Sequence, residues 1–523
     1  MKWNARDGIL STLPPRLPKL NGVVERAHRT HTEEFYEVTE SSFDLPQVRG
    51  KLLEWEKVYN TIRPHQALGY VTPLKFLEQW KENQRKEKEI LQMANGSSIK
   101  SVMAREVSSD RGHPGVEVVV TTENGAAGTA MVTAGVSVGI HEVQFAYDGG
   151  TRWKGKGVMK AVNNVNDVIA PAIVGQDATK QGEIDNTIIE LDGTKNKANL
   201  GGNATGSVSA AVLKAGAASL GIPLYQHIGG VNANILPTPG VLAFGGSLRY
   251  GGSPGSGGKP SYELVAYGFN TFSEASYACW DTKSTLIAMM TQKYGIDGSI
   301  FDGIQVPPGI VDSDRELWAL MTEAINASGY KGKFGLQVDV AAGTYYDKEK
   351  DAFVGIFSRE DKTKDDMIKL YKEMVNKYHF VILEDPLDEE DYEGHALLTR
   401  ELGIQVVGDD LFTTNVERLK KGIEVGACNT VLLKVNQIGS ISEAFDTVQL
   451  AYSKGYGVEP CSSRGEGPDI ADYCVGLSAG TVRGRALGPI GSRFLQIEAE
   501  LGSRAKFLGK AGLKIGPPRV TDG

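Results

Sequence analysis

In the second half of the chain, four short apolar segments each end in a carboxylate or an amine. The four polar residues are Asp339, Glu384, Asp409 and Lys434, and consecutive members lie 45, 25 and 25 residues apart (384 − 339, 409 − 384 and 434 − 409). About 25 residues hold one strand, one helix and two short loops, and 45 is roughly two such units. Because each segment is short and apolar, the pattern predicts buried parallel strands alternating with helices, as in a β/α barrel.

Apolar periodicity and turn residues predict the remaining elements of the chain. Helices are expected over residues 46–60, 74–92, 156–173 and 202–220, and strands over 116–120 and 129–132, with a turn at 123–125 between them. The glycine- and serine-rich segment 245–259 predicts a mobile surface loop. The predicted domains are residues 1–93, a linker at 94–98, an α+β domain at 99–236 and a barrel at 237–523.

The composition is that of a globular protein with more than one domain. The composition, 41% hydrophobic and 23% charged, is typical of globular proteins. A chain of 523 residues is too long for one ordinary core. The net charge of −8 argues against a chain wholly devoted to nucleic-acid binding. Four cysteines without CxxC spacing fit a reducing compartment, and no long apolar run suggests a membrane span or a signal segment. We therefore expect a soluble, cytoplasmic protein.

The four polar residues suggest a specific chemistry. The carboxyl ends of barrel strands meet at one face of the barrel, where active sites are built. Three carboxylates and one lysine at that face suggest a hard divalent cation beside a general base. The alternative is a set of buried salt bridges at the barrel mouth.

Over residues 99–510 the chain resembles the enolase family, lyases that interconvert 2-phosphoglycerate and phosphoenolpyruvate. The resemblance implies an α+β lid domain followed by a barrel with the order ββαα(βα)6. The motifs that carry it are Ala104-Arg-Glu, Arg111-Gly-His-Pro-Gly-Val-Glu117, Gly155-Lys-Gly-Val, Ile184-Asp-Asn, Leu191-Asp-Gly-Thr-Lys-Asn, Lys214-Ala-Gly-Ala-Ala, Glu384-Asp-Pro, Gly408-Asp-Asp and Leu433-Lys-Val-Asn-Gln-Ile-Gly439.

The resemblance also implies roles for individual residues. Removing a proton next to a carboxylate creates a charged enolate, which Mg²⁺ stabilises while a lysine takes the proton. The implied base is Lys434, and Glu263 matches a further active-site glutamate of the family. The implied ligands of Mg²⁺ are Asp339, Glu384 and Asp409, with Ser137 of the loop Thr133–Glu142 completing a second metal site. The implied substrate-binding residues are Ser463, Arg464 and Arg483.

Four departures from the family pattern affect the other half of the mechanism. Gly303 stands where the family glutamate helps the hydroxyl group leave, and Leu248 replaces a histidine. The segment 460–466 lacks the histidine of the phosphate loop and its arginine is shifted by about one place. Arg483 replaces a lysine, and the two are not equivalent at a metal-bound carboxylate.

Residues 9–80 resemble the C-terminal part of DDE-type integrase cores of the RNase H-like fold, found in transposases. The motifs are Asn21-Gly-Val-Val-Glu25 and Tyr59-Asn-Thr-Ile-Arg-Pro-His-Gln-Ala-Leu-Gly69, in which Glu25 matches the third metal-binding acid. The first two acids of that site have no counterpart here, so the fragment cannot complete it, which argues against strand transfer and against nucleic acid as a partner.

The sequence thus predicts a Mg²⁺-dependent lyase acting on 2-phosphoglycerate, and the family suggests a homodimer. A divergent relative with another carboxylate substrate, or without turnover, is the first alternative. A DNA-associated integrase remnant whose barrel is a passenger is the second.

Overall fold

The structure is a computed structural model that divides into two compact units, Met1–Ala94 and Asn95–Gly523. The residues it describes are 2–3, 10–11, 29–30, 32–37, 44–65, 68–94, 96–109, 112–135, 138–246, 248–252 and 258–518. The predicted domain boundaries within the second unit stay predictions.

In the first unit, two helices carry most of the described residues. They are α1 (Leu45–Thr61) and α2 (Pro73–Ala94), which confirms the helices predicted there. A two-residue antiparallel ladder joins β1 (Lys2–Trp3) to β2 (Leu10–Ser11). None of the 17 residues of α1 is buried, so the described part of this unit offers little apolar core.

The second unit begins with an antiparallel sheet covered by helices. Its strands are β3 (Ile99–Ser108), β4 (Pro114–Thr122) and β5 (Ala127–Thr133), and the predicted turn joins β4 to β5. The helices are α3 (Met159–Asn163), α4 (Ala170–Ile173), α5 (Gln181–Asp192), α6 (Gly202–Leu220) and α7 (Leu224–Gly229). The buried α6 packs closely on the sheet, because a Cβ on Gly128 would lie 2.2 Å from the carbonyl oxygen of Ala211.

Two short strands, β6 (Ile235–Leu236) and β9 (Ile304–Gln305), flank the start of an eight-stranded barrel. The barrel strands are β7 (Thr238–Gly245), β8 (Ser261–Ala266), β10 (Phe334–Asp339), β13 (Phe380–Glu384), β14 (Gln405–Gly408), β15 (Thr430–Leu433), β16 (Gly457–Pro460) and β17 (Thr481–Val482). A hairpin of β11 (Tyr346–Asp347) and β12 (Ala352–Phe353) follows β10, and β18 (Lys506–Phe507) pairs with β6. β8 runs antiparallel to both of its neighbours, whereas the other ladders between barrel strands are parallel.

Helices surround this barrel and alternate with its strands along the chain. They are α8 (Phe272–Tyr294), α9 (Arg315–Ala327), α10 (Lys364–Tyr378), α11 (Tyr392–Leu402), α12 (Val416–Val425), the short α13 (Val435–Ile438), α14 (Ile441–Ser453), α15 (Asp469–Gly476) and α16 (Gly488–Leu501). Two helices precede β10 and at least one follows each later strand, which confirms the expected ββαα(βα)6 order. The ladder of β17 with β7, and a backbone hydrogen bond from Arg483 to Pro460, close the ring.

Among the described residues, no single helix combines the length and apolar character needed to cross a membrane. The bent pair Gly202–Leu220 and Leu224–Asn232 reaches both thresholds together, with a 95° break between its parts.

Candidate active site

The four residues of the sequence pattern end neighbouring strands at the same face of the barrel. Asp339 and Glu384 are the last residues of β10 and β13 and lie opposite each other in the parallel ladder. Asp409 directly follows β14, and Lys434 directly follows β15. Between 0 and 5% of each residue is exposed. The strand ends therefore place three carboxylates and one amine in the same buried region of the barrel.

Lys434 and Asp409 form an ion pair within this group. Gln437 also donates to Asp409 (2.8 Å), and the backbone N–H of Lys434 donates to Thr414 (3.0 Å). Burial alone would lower the pKa of Lys434, but the Asp409 carboxylate more than offsets this and the pKa lies above its usual range. Burial would raise the pKa of Asp409, yet the adjoining Lys434 holds it below the usual range. The pair is therefore ionised as it stands.

Asp385 fixes the position of Asp409 through the backbone. Its two carboxylate oxygens accept the N–H groups of Asp409 (2.9 Å) and Asp410 (2.8 Å). Among the described residues, the group of three or more potential metal-ligand side chains whose ligand atoms all lie within 4.8 Å of one another consists of Asp385, Asp409 and Asp410. Asp339 and Glu384 stand outside that group. Asp385 thus supports the loop after β14 rather than facing outward.

Arg483, directly after β17, bridges the remaining acids. Its guanidinium contacts Asp339, lies 3.0 Å from Glu384 and 3.7 Å from Glu263, and donates to Ser261 (2.9 Å). Burial raises the pKa of Glu263, although Arg483 opposes the rise. The structure therefore brings the predicted Glu263 and Arg483 together with the predicted metal ligands.

A third cation at these acids, Lys259, is not among the site residues predicted from the sequence. Its ammonium pairs with Asp339, and burial together with the like charge of Arg483 lowers the pKa of Lys259 to about 8. The residue stands two positions before β8, whose Ser261 lies opposite Asp339 in the antiparallel ladder. A lysine just before an apolar strand is the available signal, although the glycine-rich segment around it is typical of a surface loop.

A cavity of about 430 Å³ opens beside these groups. Lys434, Glu263, Ser463, Arg464 and Arg483 line it, as does Lys259. The guanidinium of Arg464 pairs with the buried Glu142. The sequence reasoning assigned no role to Arg485, which also lines the cavity and donates to the carbonyl of Ser462 (2.6 Å).

The segment around Gly303 differs from the sequence interpretation in one respect. A Cβ on Gly303 would lie 2.3 Å from the backbone nitrogen of Gly245, so no side chain fits there while β9 pairs with β7. The preceding residue, Asp302, lines the cavity and is exposed. A carboxylate is therefore present at the cavity wall, one position before Gly303, which the resemblance matches to the family glutamate.

Leu248, which replaces the family histidine, is followed by an arginine that anchors this segment. Leu248 is half exposed and does not line the cavity. Arg249 instead forms two 3.0 Å hydrogen bonds to the buried Asp314, which also accepts from the Tyr262 hydroxyl (2.6 Å). This segment is thus anchored in the barrel wall.

Two predicted residues lie outside the described part of the chain, namely Ser137 and Glu25. Beyond Ser137, His141 pairs with Glu390 (2.5 Å), and the backbone N–H of Gly139 donates to Glu142 (3.1 Å). The described end of this loop is therefore fastened to the loop that follows β13.

The acid cluster of Asp339, Glu384 and Asp409 offers carboxylate oxygens, the ligands that a hard divalent cation prefers. Glu384 is fully buried, and neither of its carboxylate oxygens accepts a hydrogen bond from the residues that the structure describes. A buried carboxylate oxygen without a donor is costly unless a cation completes it. Glu384 therefore offers two buried oxygens to which a cation such as Mg²⁺ could bind.

Comparison with known proteins places this site in context. The C-terminal TIM barrel domain of enolase matches residues 260–515, and the N-terminal domain of enolase matches residues 99–228. An integrase core domain matches residues 9–73. The chain is 42% identical to the enolase of Methanococcus aeolicus over 80% of its length and 99% of that protein. It is 44% identical to the enolase of Methanopyrus kandleri over 78% of its length and 97% of that protein.

Proposed function

This chain belongs to the enolase family, and from that premise we propose that it removes water from 2-phosphoglycerate in a reaction that depends on Mg²⁺ and on Lys434. The family is one of carbon–oxygen lyases, and the full length of the relatives is spanned. The observation that carries the proposal is the position of the Lys434 ammonium, which lines the cavity beside Asp409.

The proposed ligands of Mg²⁺ are Asp339, Glu384 and Asp409, with Ser137 at a second ion. When bound, Mg²⁺ supplies the positive charge that stabilises the substrate carboxylate as it becomes an enolate. With a cation held by Asp409, this carboxylate would no longer raise the pKa of Lys434, and burial would favour the neutral amine. The neutral amine is then able to accept the proton on the carbon next to the carboxylate.

The remaining residues of the cavity bind and orient the substrate in this proposal. Arg483, Arg485 and Ser463 offer guanidinium and hydroxyl donors for carboxylate and phosphate oxygens. Asp302 takes the acid role, giving a proton to the departing hydroxyl group so that it leaves as water. The proton removed from carbon thus stays on Lys434, and a second proton is delivered by Asp302.

The first unit has no step in this mechanism, since all residues assigned a role lie in the second unit. A divergent activity on another carboxylic acid is the second candidate. It is favoured by Arg483, which stands where the family has a lysine and is paired with acids of the proposed metal site.

Formation of phosphoenolpyruvate from 2-phosphoglycerate, with Mg²⁺ and with EDTA, tests the proposal. We expect turnover that EDTA abolishes and that Lys434→Ala lowers on the order of 10²- to 10⁴-fold. Lys420→Ala, at an exposed lysine paired with Glu417, is the matched control and should keep wild-type turnover. Asp302→Asn should lower kcat, and Asp302→Glu should retain more of it.

Absence of turnover in the wild-type protein, together with a Mg²⁺-dependent rise in Tm, would favour the second candidate. Turnover that survives Lys434→Ala would contradict the role given to Lys434.

A further inference from the structure

The segment that carries Lys259 is built into the barrel mouth. The backbone N–H of Gly246 donates to the carbonyl of Gly258 (2.5 Å), and the hydroxyl of the buried Tyr345 donates to the carbonyl of Lys259. A Cβ on Gly246 would lie 2.1 Å from that Gly258 oxygen, so the close approach requires glycine. Contacts from two directions thus hold the backbone that delivers this lysine.

The side chain of Lys259 reaches the acids that are the proposed metal ligands. Its ammonium and the Arg483 guanidinium contact the same oxygen, Oδ2 of Asp339. Only 14% of the lysine side chain is exposed. A divalent ion bound to Oδ2 of Asp339 would lie about 2 Å from that oxygen. An ammonium that already contacts the same oxygen would repel the ion.

The two cations leave both oxygens of Glu384 without a hydrogen bond. The Nε atom of Arg483 lies 3.0 Å from Oε2 of Glu384, yet neither Oε1 nor Oε2 accepts a hydrogen bond from the residues that the structure describes. Lys259 and Arg483 therefore neutralise part of the cluster and leave an acceptor for a further positive charge. This arrangement suits exchange of one cation for another better than a closed salt-bridge network does.

We propose that Lys259 is an intramolecular counter-cation of the Asp339–Glu384 pair, which a divalent ion must displace, and that it sets the affinity of this chain for Mg²⁺. The inference rests on the proposed function only in taking Asp339 and Glu384 as ligands. Two consequences follow. Removing the ammonium strengthens Mg²⁺ binding, and it lowers the stability of the folded protein without metal, because the acids lose a positively charged partner.

Calorimetric titration of Mg²⁺ into the EDTA-treated, dialysed full chain tests the first consequence. Lys259→Met should bind Mg²⁺ about tenfold or more tightly than the wild type. Lys259→Arg, which keeps the charge, should stay within about twofold of the wild type. The matched control is Lys333→Met, which removes an exposed lysine just before β10, at the end of that strand remote from Asp339.

Thermal unfolding of the same variants tests the second consequence. The Tm of Lys259→Met should fall in EDTA by several degrees, and the rise in Tm on adding Mg²⁺ should exceed that of the wild type. Lys259→Gln, which keeps a polar head, should show both changes with smaller disruption of packing. A variant that is unfolded in EDTA but folds in Mg²⁺ supports the proposal as well.

Wild-type Mg²⁺ affinity in both Lys259→Met and Lys259→Gln overturns the inference, and so does failure of both to fold with Mg²⁺ present. If the wild type turns over 2-phosphoglycerate while these variants keep its Mg²⁺ affinity, the proposed function stands and this inference falls. If the wild type shows no turnover while the variants bind Mg²⁺ more tightly, this inference stands and the proposed function falls.

Discussion

Glu459 offers a quantitative test of how burial controls charge inside the barrel. It lies in β16, and its carboxylate oxygens accept from Gln337 (2.8 Å), Gln405 (2.6 Å) and Thr481 (2.9 Å). Burial, followed by the nearby charge of Glu384, raises the pKa of Glu459 from 4.5 to about 8. We therefore expect the folded protein to hold a proton on Glu459 at neutral pH, where the unfolded chain has lost it.

The direction of the pH effect follows from this difference. Between pH 4.5 and pH 8 the folded state binds more protons than the unfolded state, so raising the pH favours unfolding. The slope approaches 1.4 kcal/mol per pH unit, roughly, within that window. From pH 6 to pH 8, Glu459 should lower the free energy of unfolding by about 2 kcal/mol.

Glu459→Gln removes the titration while keeping the size and polarity of the side chain. The free energy of unfolding of the variant, relative to the wild type, should rise by about 2 kcal/mol between pH 6 and pH 8. Urea unfolding in EDTA, followed by fluorescence to which the buried Trp318 contributes, measures this difference. Glu323→Gln, at an exposed position on α9, is the control. A difference between variant and wild type that is the same at pH 6 and pH 8 would refute the reasoning.

Two further predictions concern packing and buried charge in the barrel wall. Gly303→Ala should destabilise the protein by about 1–3 kcal/mol in a thermal melt, because the added Cβ would lie 2.3 Å from the backbone of Gly245. The control, Gly182→Ala at an open helical position, should be neutral or stabilising in the same measurement. Asp314→Leu should cost about 3–5 kcal/mol by leaving the buried Arg249 unpaired. Adding Arg249→Met to that variant should recover part of the loss, and strict additivity of the two changes in urea melts would contradict this.

Much of the fold could be predicted from local patterns. The spacing of Asp339, Glu384, Asp409 and Lys434 predicted strands whose ends meet, and the ladders confirm those strands. Parallel strands covered on both faces read as nearly continuous apolar segments, so such strands can be recognised from the sequence alone. The roles of these residues as metal ligands and base stay predictions.

Other parts of the candidate site could not be predicted, since they depend on contacts between distant segments. Arg464 pairs with Glu142, 322 residues away in the sequence, and it also lines the cavity, where its role in substrate binding stays a prediction. The position of Asp302 at the cavity wall depends on the pairing of β9 with β7. No periodicity or spacing encodes either contact.

The sequence by itself determined the barrel, the lid sheet and the convergence of four polar residues, because strand period and chain connectivity are local properties. Only the tertiary structure decided which charges face one another. Lys259 shows the difference: its segment has the composition of a loose surface loop, yet the glycine at 246 and the hydroxyl of Tyr345 hold it against Asp339. Which cation an acid cluster meets depends on the path of a loop, and that path is set by long-range contacts.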